Sequence, residues 1–399
     1  MEQANNIEKK ERLWNSNYLK VWCANFMIFF SFMLLTPLLP SYLSDTFGAD
    51  KQTIGIVLSG YTLTALLIRA LSGYIVDSFP RRTVLILSYA LFALFFAGYI
   101  VAGSLVLFAI VRTLHGAPFG ATTVSNSTVA IDVLHPSRRA EGIGYYGLSN
   151  NIATAISPTV ALLLFGAYKS YDLLFWVAFI TALIGLASTL SVKLREREIV
   201  KNNQPLSLDR FILLKGWRQG AAMICYAFSY GVLATYIAIY GKEEIGLDGG
   251  SGLFFTILAT GLIVSRIISA QWVKRGQLTL NIGVGMIVTV IGFALFTFWR
   301  DITGFYLSAV VLGIGYGAMC PSFQAVFVNL AHNNRRGTAN STYLTSWDLG
   351  LGIGVLVGGA IAERLSYHDA YILAVAVCII GAIHFFTHTS KHFNSNKLR

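Results

Sequence analysis

Long apolar runs alternate with short polar breaks from one end of the chain to the other. Residues 83–111 (TVLILSYALFALFFAGYIVAGSLVLFAIV), 173–190 and 279–298 show the pattern most plainly. Such runs are long enough to cross a bilayer, which takes about 20 residues of helix. Period gives no help in placing them, because a helix among lipids and other helices is apolar on all sides. Length and flanking charge instead predict twelve spans: 19–43, 52–76, 82–102, 105–131, 141–166, 172–192, 217–240, 250–272, 279–299, 303–330, 339–363 and 368–388. The breaks at 102–105 and near 366 are the shortest. The fold class is therefore an all-α membrane protein with twelve transmembrane helices.

Composition agrees and charge adds direction. Of 399 residues 55% are hydrophobic and 12% charged, against about 25% charged in a soluble protein. The net charge of +11 suggests nucleic acid until its placement is read. Of the 30 Lys and Arg, 22 fall in the N-terminal tail, the C-terminus and alternate loops, and five in the opposite loops. That split is the positive-inside pattern. We expect an integral cell (inner or plasma) membrane protein with both termini cytoplasmic and no nucleic-acid partner. The polar start MEQANNIEKKERLW has no signal-peptide core. Cys23, Cys225, Cys320 and Cys378 all lie within spans, too far apart in sequence for a metal motif. We expect packing cysteines, no disulfide, no metal and no cofactor.

The longest polar connection, 193–216, sits mid-chain, and its tail LDRFILLKGW reads as a short surface helix. It separates an N-terminal bundle (1–192) from a C-terminal one (217–399). One shift of 197 residues brings Arg69–Gly73 onto Arg266–Ala270, Gly116 and Gly120 onto Gly313 and Gly317, Asp132 onto Asn329, Arg138-Arg139 onto Arg335-Arg336, and Asn151 onto Asp348. One unbroken shift giving all these matches implies duplication: two pseudo-symmetric six-helix bundles related by an axis along the membrane normal.

This pattern resembles the major facilitator superfamily over nearly the whole chain. Its loop motif G-x-x-x-D-x-x-G-R-R is present as Gly73, Asp77, Arg81 and Arg82, with Pro80 in place of the second glycine. Its span 4 pattern R-x-x-x-G-x-x-x-G is present as Arg112, Gly116 and Gly120. The resemblance implies that span 2 packs on span 11. Gly73 then permits close approach, and Asp77 faces the positive N-terminal end of span 11. With Arg81 and Arg82 it forms a latch between the halves, closed in the outward-facing state. Lys274 stands where a second such carboxylate would be, so latching, in which Arg266 also takes part, is expected to be stronger at the 2–11 contact than at 5–8.

Charged side chains at membrane depth are expensive and mark function. Asp348 is the one carboxylate placed deep in a span, and Arg69 points toward it if spans 2 and 11 touch, so we expect an ion pair across the halves. Arg112 is, by resemblance, a cavity-facing arginine tied to proton coupling. Proton coupling is thus assigned to Asp348, Arg112 and Arg69. The resemblance also draws the cavity from spans 1, 4, 7 and 10. Its candidate lining is Asn25, Phe29, Met33, Tyr226, Tyr230, Tyr236, Phe323 and Gln324, with Asn151, Arg266's counterpart across the second contact, added from span 5.

An aromatic-rich pocket with few amides suits amphipathic or aromatic compounds better than sugars. The span 5 glycines that exporters of the superfamily often carry are replaced here around Pro158, mostly by small residues. The reading is a monomeric secondary transporter, with protons and a small molecule as partners, exporting by alternating access as in the drug:proton antiporter branch. The alternative is an uptake symporter for a small metabolite. No HExxH, GxSxG, paired-carboxylate cluster or Walker loop is present, which argues against an enzyme or an ATP-driven pump.

Overall fold

The computed structural model describes residues 12–49, 51–194, 210–247 and 251–398. These form helices and no strand, and twelve of the helices are long and apolar enough to span a membrane. In the N-terminal half lie α1 (Ser16–Leu35), α2 (Leu39–Phe47), α3 (Lys51–Ser78), α4 (Arg81–Val101), α5 (Leu105–Asp132), α6 (Arg139–Tyr168) and α7 (Tyr171–Leu190). In the C-terminal half lie α8 (Trp217–Ile245), α9 (Ser251–Lys274), α10 (Leu278–Phe298), α11 (Ile302–Leu330), α12 (Arg336–Arg364), α13 (Tyr367–His384) and α14 (Ser390–Asn396).

Two adjustments to the sequence expectation have clear causes. The first span splits into α1 and α2 because Pro37 and Pro40 interrupt the helical ladder. The last span runs on through a π turn, Phe385–Thr389, into α14. The short breaks at 102–105 and 366 are real, and each is closed by a serine cap. Ser104 Oγ accepts from Leu107 N, and Ser366 Oγ from Asp369 N. At the position 197 residues after Ser104, Asp301 caps α11 by accepting from Gly304 N at 2.7 Å. That bond and one from Trp299 hold its carboxyl below the usual range.

The duplication is visible in packing. A Cβ on Gly116 would meet Tyr61 O at 2.1 Å and one on Gly120 Ala65 O at 2.6 Å. In the other half Gly313 meets Leu258 O at 2.4 Å and Gly317 meets Leu262 O at 2.6 Å. All four partners keep the same 197-residue shift. In both halves, then, bare glycines let α5 on α3, and α11 on α9, approach to backbone contact.

Each half has its own aromatic core. Tyr89, Phe92, Phe96, Phe108 and Phe175 are buried in the first, and Tyr240, Phe254, Phe296, Phe305 and Tyr371 in the second. Leu63, Leu94, Ile180, Ile268 and Ile291 face outward, as lipid-facing side chains do. The protein is an integral multi-pass membrane protein.

Candidate functional site: a charged seam between the halves

The halves meet along α3–α12 and α6–α9, and the two crossings differ. At the end of the bundle where α1 begins and α14 ends (the termini end), α3 stops at Ser78 and Pro80 precedes α4. This turn brings Asp77 onto the first turn of α12. Its Oδ1 accepts from Gly337 N at 2.9 Å, and its Oδ2 from Thr338 N at 2.7 Å and Thr338 Oγ1 at 2.9 Å. A carboxylate from one half thus caps a helix of the other, where free amides and the helix dipole favour an anion. Gly73 makes the approach possible. A Cβ there would lie 2.7 Å from Ser341 Cβ and 2.8 Å from Thr338 Cα.

A second carboxylate, Asp132 at the end of α5, completes the seam. Arg81 donates to Asp77 and Asp132, and Arg336, from the other half, donates to Asp132 Oδ1 at 2.7 Å. Both arginines are buried, so two guanidiniums and two carboxylates balance. Next to them Asn340 donates to Ser127 Oγ at 2.9 Å and accepts from Gln324 Nε2 at 2.8 Å. The sequence reading missed Asp132, Arg336, Thr338 and Asn340. The available signal was that the 197-residue shift turns Asp132 into Asn329, so only one of the two positions carries charge.

Farther in, Arg69 Nη1 donates to Asp348 Oδ2, and Ser341 Oγ donates to Arg69 O. Asp348 lies twelve residues into α12, about 18 Å along its axis at 1.5 Å per residue. Arg69 also reaches Thr123 Oγ1 at 3.2 Å and lies 5.5 Å from the Phe119 ring centre. Beyond this pair α12 leans on α8 of its own half. Cβ atoms on Gly350 and Gly354 would meet Ile224 O at 2.5 Å and Phe228 O at 2.1 Å.

Among the described residues Arg112 has no carboxylate partner. Its guanidinium carbon sits 4.2 Å from the Tyr61 ring centre and 5.5 Å from that of Phe32, and Nη1 donates to Tyr99 OH at 3.2 Å. Tyr99 OH in turn lies 2.7 Å from His115 Nδ1. Aromatic faces partly stand in for a counter-charge.

These helices, their duplication and the seam motif agree with a sequence profile, that of the Major Facilitator Superfamily, which matches residues 21–355 and 282–398. The chain belongs to this superfamily. Relatives include the Staphylopine export protein of Staphylococcus aureus, 22% identical over 91% of this chain and 94% of its own. The Quinolone resistance protein NorA of the same species is 21% identical over 90% of this chain and 92% of its own. Among solved structures, the Major Facilitator Superfamily transporter FucP in the outward conformation superposes with a TM-score of 0.77 at 16% identity, covering 93% of this chain and 99% of its own.

In this superfamily transporter the expected cavity lining scatters. Tyr226 is fully buried and donates to Met286 O inside the second half, and Phe323 is core against Phe385. Asn25 is also buried, donating to Ser149 Oγ at 2.8 Å and accepting from Tyr146 OH at 2.6 Å. These three are buried within their own halves in this structure. Tyr236 donates to Val355 O and packs on Tyr367, also within its own half. Gln324 belongs to the termini-side seam. Phe29, Met33, Tyr230 and Asn151 remain half-buried, with Phe29 against Phe119 and Tyr230 against Tyr316 and Trp347.

Arg82 leaves the latch, because it donates to Leu190 O and Val192 O at the end of α7 in its own half. Arg266 lies at the other crossing. A Cβ on Gly147 would stand 2.0 Å from its Nη1, which finds no acceptor among the described residues. The tail of the mid-chain connection, expected as a short surface helix, is described from Arg210 onward and has a 3-10 turn at Leu214–Gly216. Residues 195–209 lie outside the described residues, and residues 210–213 tuck into the seam. Arg210 O accepts from Thr338 Oγ1, Phe211 packs on Tyr74, and Leu213 N donates to Thr342 Oγ1.

Proposed function

We propose that the protein is a proton-coupled exporter of small organic, amphipathic molecules, working by alternating access. The observation that carries this reading is the Arg69–Asp348 pair, a titratable bond between the halves at the inner limit of the seam. While it and the latch around Asp77 hold, the termini end is sealed. A proton on Asp348 removes its charge, frees Arg69 and weakens the seam where the halves must part. Loss of that proton on the termini side lets the pair reform. One relative is named for exporting staphylopine and another for quinolone resistance, which favours outward movement. The Lys and Arg excess at the termini end supports placing that end in the cytoplasm.

The test uses purified protein in liposomes loaded with a pH-sensitive dye. A panel of amphipathic acids and aromatic cations is added on the side opposite the dye. We expect compound and protons to move in opposite directions, and Asp348→Asn to cut proton flux at least about tenfold, as loss of one partner of a partly buried pair implies. Exchanging both charges (Arg69→Asp with Asp348→Arg) restores more flux than either single change. Proton movement alongside the compound means symport. Undiminished flux in Asp348→Asn removes the coupling role.

A further inference from the structure

Four charged side chains lie in the inner part of the spans among the described residues: Arg69, Arg112, Arg266 and Asp348. Asp348 neutralises Arg69. Arg112 is enclosed by Tyr61, Phe32 and Tyr99. Arg266 lacks both kinds of compensation at two of its three nitrogens: among the described residues Nε and Nη1 are buried without an acceptor, and no aromatic ring lies under the guanidinium. Buried guanidinium donors left open are costly, so their retention asks for an occupant.

The surroundings define that occupant. Arg266 lies against Gly147 of α6, and Asn151, one turn farther along the same face, has an Nδ2 that also finds no acceptor. Each has buried donors with no acceptor among the described residues. On the α12 side Tyr343 is within electrostatic reach of Arg266. Trp347 follows one turn on and packs 5.4 Å from Tyr230 and 6.0 Å from Tyr316. Tyr343 thus links the open donors to a half-buried aromatic wall. A cationic compound finds the opposite: a surplus of positive charge, and one carboxylate already bound to Arg69.

We propose that Arg266, assisted by Asn151, anchors the acidic group of an organic anion whose aromatic body rests on Trp347 and Tyr230. This rests on the reading of the protein as a transporter of small amphipathic molecules and names their charge class. Guanidinium and carboxylate match in geometry and charge. Because the anchor stands on the crossing of α6 with α9, an occupant touches both halves at once.

The experiment is equilibrium binding to the full-length protein in phosphatidylcholine nanodiscs, with no proton gradient, so it stands or fails apart from the coupling test. The probes are fluorescein, an aromatic dianion, and tetraphenylphosphonium, an aromatic cation. We expect fluorescein to bind, to be displaced by octanoate, and to bind more tightly than the cation. Arg266→Met weakens fluorescein at least about tenfold, the loss expected for a charge-assisted bond. Arg266→Lys keeps most of the affinity, and Asn151→Leu causes a smaller loss. Thermal unfolding checks that each variant is folded, and Arg266→Gln replaces the Met variant if that one is not. Tighter binding of the cation, or unchanged fluorescein affinity in the Met or Gln variant, overturns the proposal. So does loss of binding on adding phosphatidylglycerol to the discs, which would make a lipid head group the occupant.

Discussion

The two crossings between the halves began as copies and no longer do the same work. At α3–α12, Asp77, Gly337 and Thr338 lock together. The 197-residue shift turns these into Lys274, Ala140 and Glu141 at α6–α9. The first turn of α12 holds no acid, whereas that of α6 holds Glu141, paired with Arg138 at 3.2 Å. One helix start borrows its anion from the other half and the other carries its own. Arg69 and Arg266 are copies as well, but Asp348 answers only the first, and Asn151 stands in its place at the second. Duplication kept the close-packed helices and the arginines while the carboxylates moved. The result is one fastened crossing and one with open donors.

The largest effect should come from removing the borrowed anion. Asp77→Asn keeps the shape but loses the charge facing Arg81 and the amides of α12. Breaking a buried pair costs about 3 kcal/mol, more than a hundredfold in the ratio of closed to open seam. Ala130→Cys, buried beside the seam, reports this on a background without the four native cysteines. A water-soluble thiol reagent should label it rapidly in Asp77→Asn and slowly otherwise. Equal protection would reduce Asp77 to a charge that fixes topology.

A methyl group on each crossing gives a smaller and more diagnostic contrast. Gly73→Ala drives a Cβ into Thr338 Cα and Gly337 O as well as Ser341. Backbone cannot step aside, so the seam must open, at about 1–3 kcal/mol. For Gly147→Ala the three nearest atoms all belong to the guanidinium of Arg266, which can swing away. We expect the same cysteine to become labelled in the first variant and not in the second, with anion binding weakened in the second. Matching behaviour would mean that the crossings remain equivalent.

How far such residues could be foreseen depends on what marks them in the chain. The contact of Asp77 with α12 and of Arg69 with Asp348 was legible because charge is rare inside spans and the internal shift fixes depth. Gly73 was legible through its motif. Which face of a helix meets a cavity was not. Tyr226, Tyr230 and Tyr236 share one span, yet the first is core, the second half-buried beside Trp347, and the third bonded to α12. A span apolar on all sides carries no period to tell them apart. Arg82 read like Arg81 because adjacent residues look equal in sequence, although on a helix they point about 100° apart. Asp132 and Arg336 sit at helix ends among many loop charges, and only the fold shows that they share Arg81's cluster.

The smallest effect tests why the second crossing is unlatched. If the missing carboxylate were the whole reason, Lys274→Asp would build a second latch. Glu141 predicts otherwise, because the new aspartate would meet a like charge at the start of α6 and gain nothing from the helix dipole. The companion change Glu141→Thr recreates the threonine that α12 offers Asp77 and frees the α6 amides. Together the two substitutions should favour the sealed seam by about 1 kcal/mol, the worth of an anion at a helix N-terminus. The readout is slower labelling of Ala130→Cys in the double variant than in its parent, with Lys274→Asp alone no slower. Equal slowing in the single variant would show that Glu141 exerts no repulsion. Slowing in neither would show that the backbone of α6 and α9 has diverged too far for a carboxylate at 274 to reach.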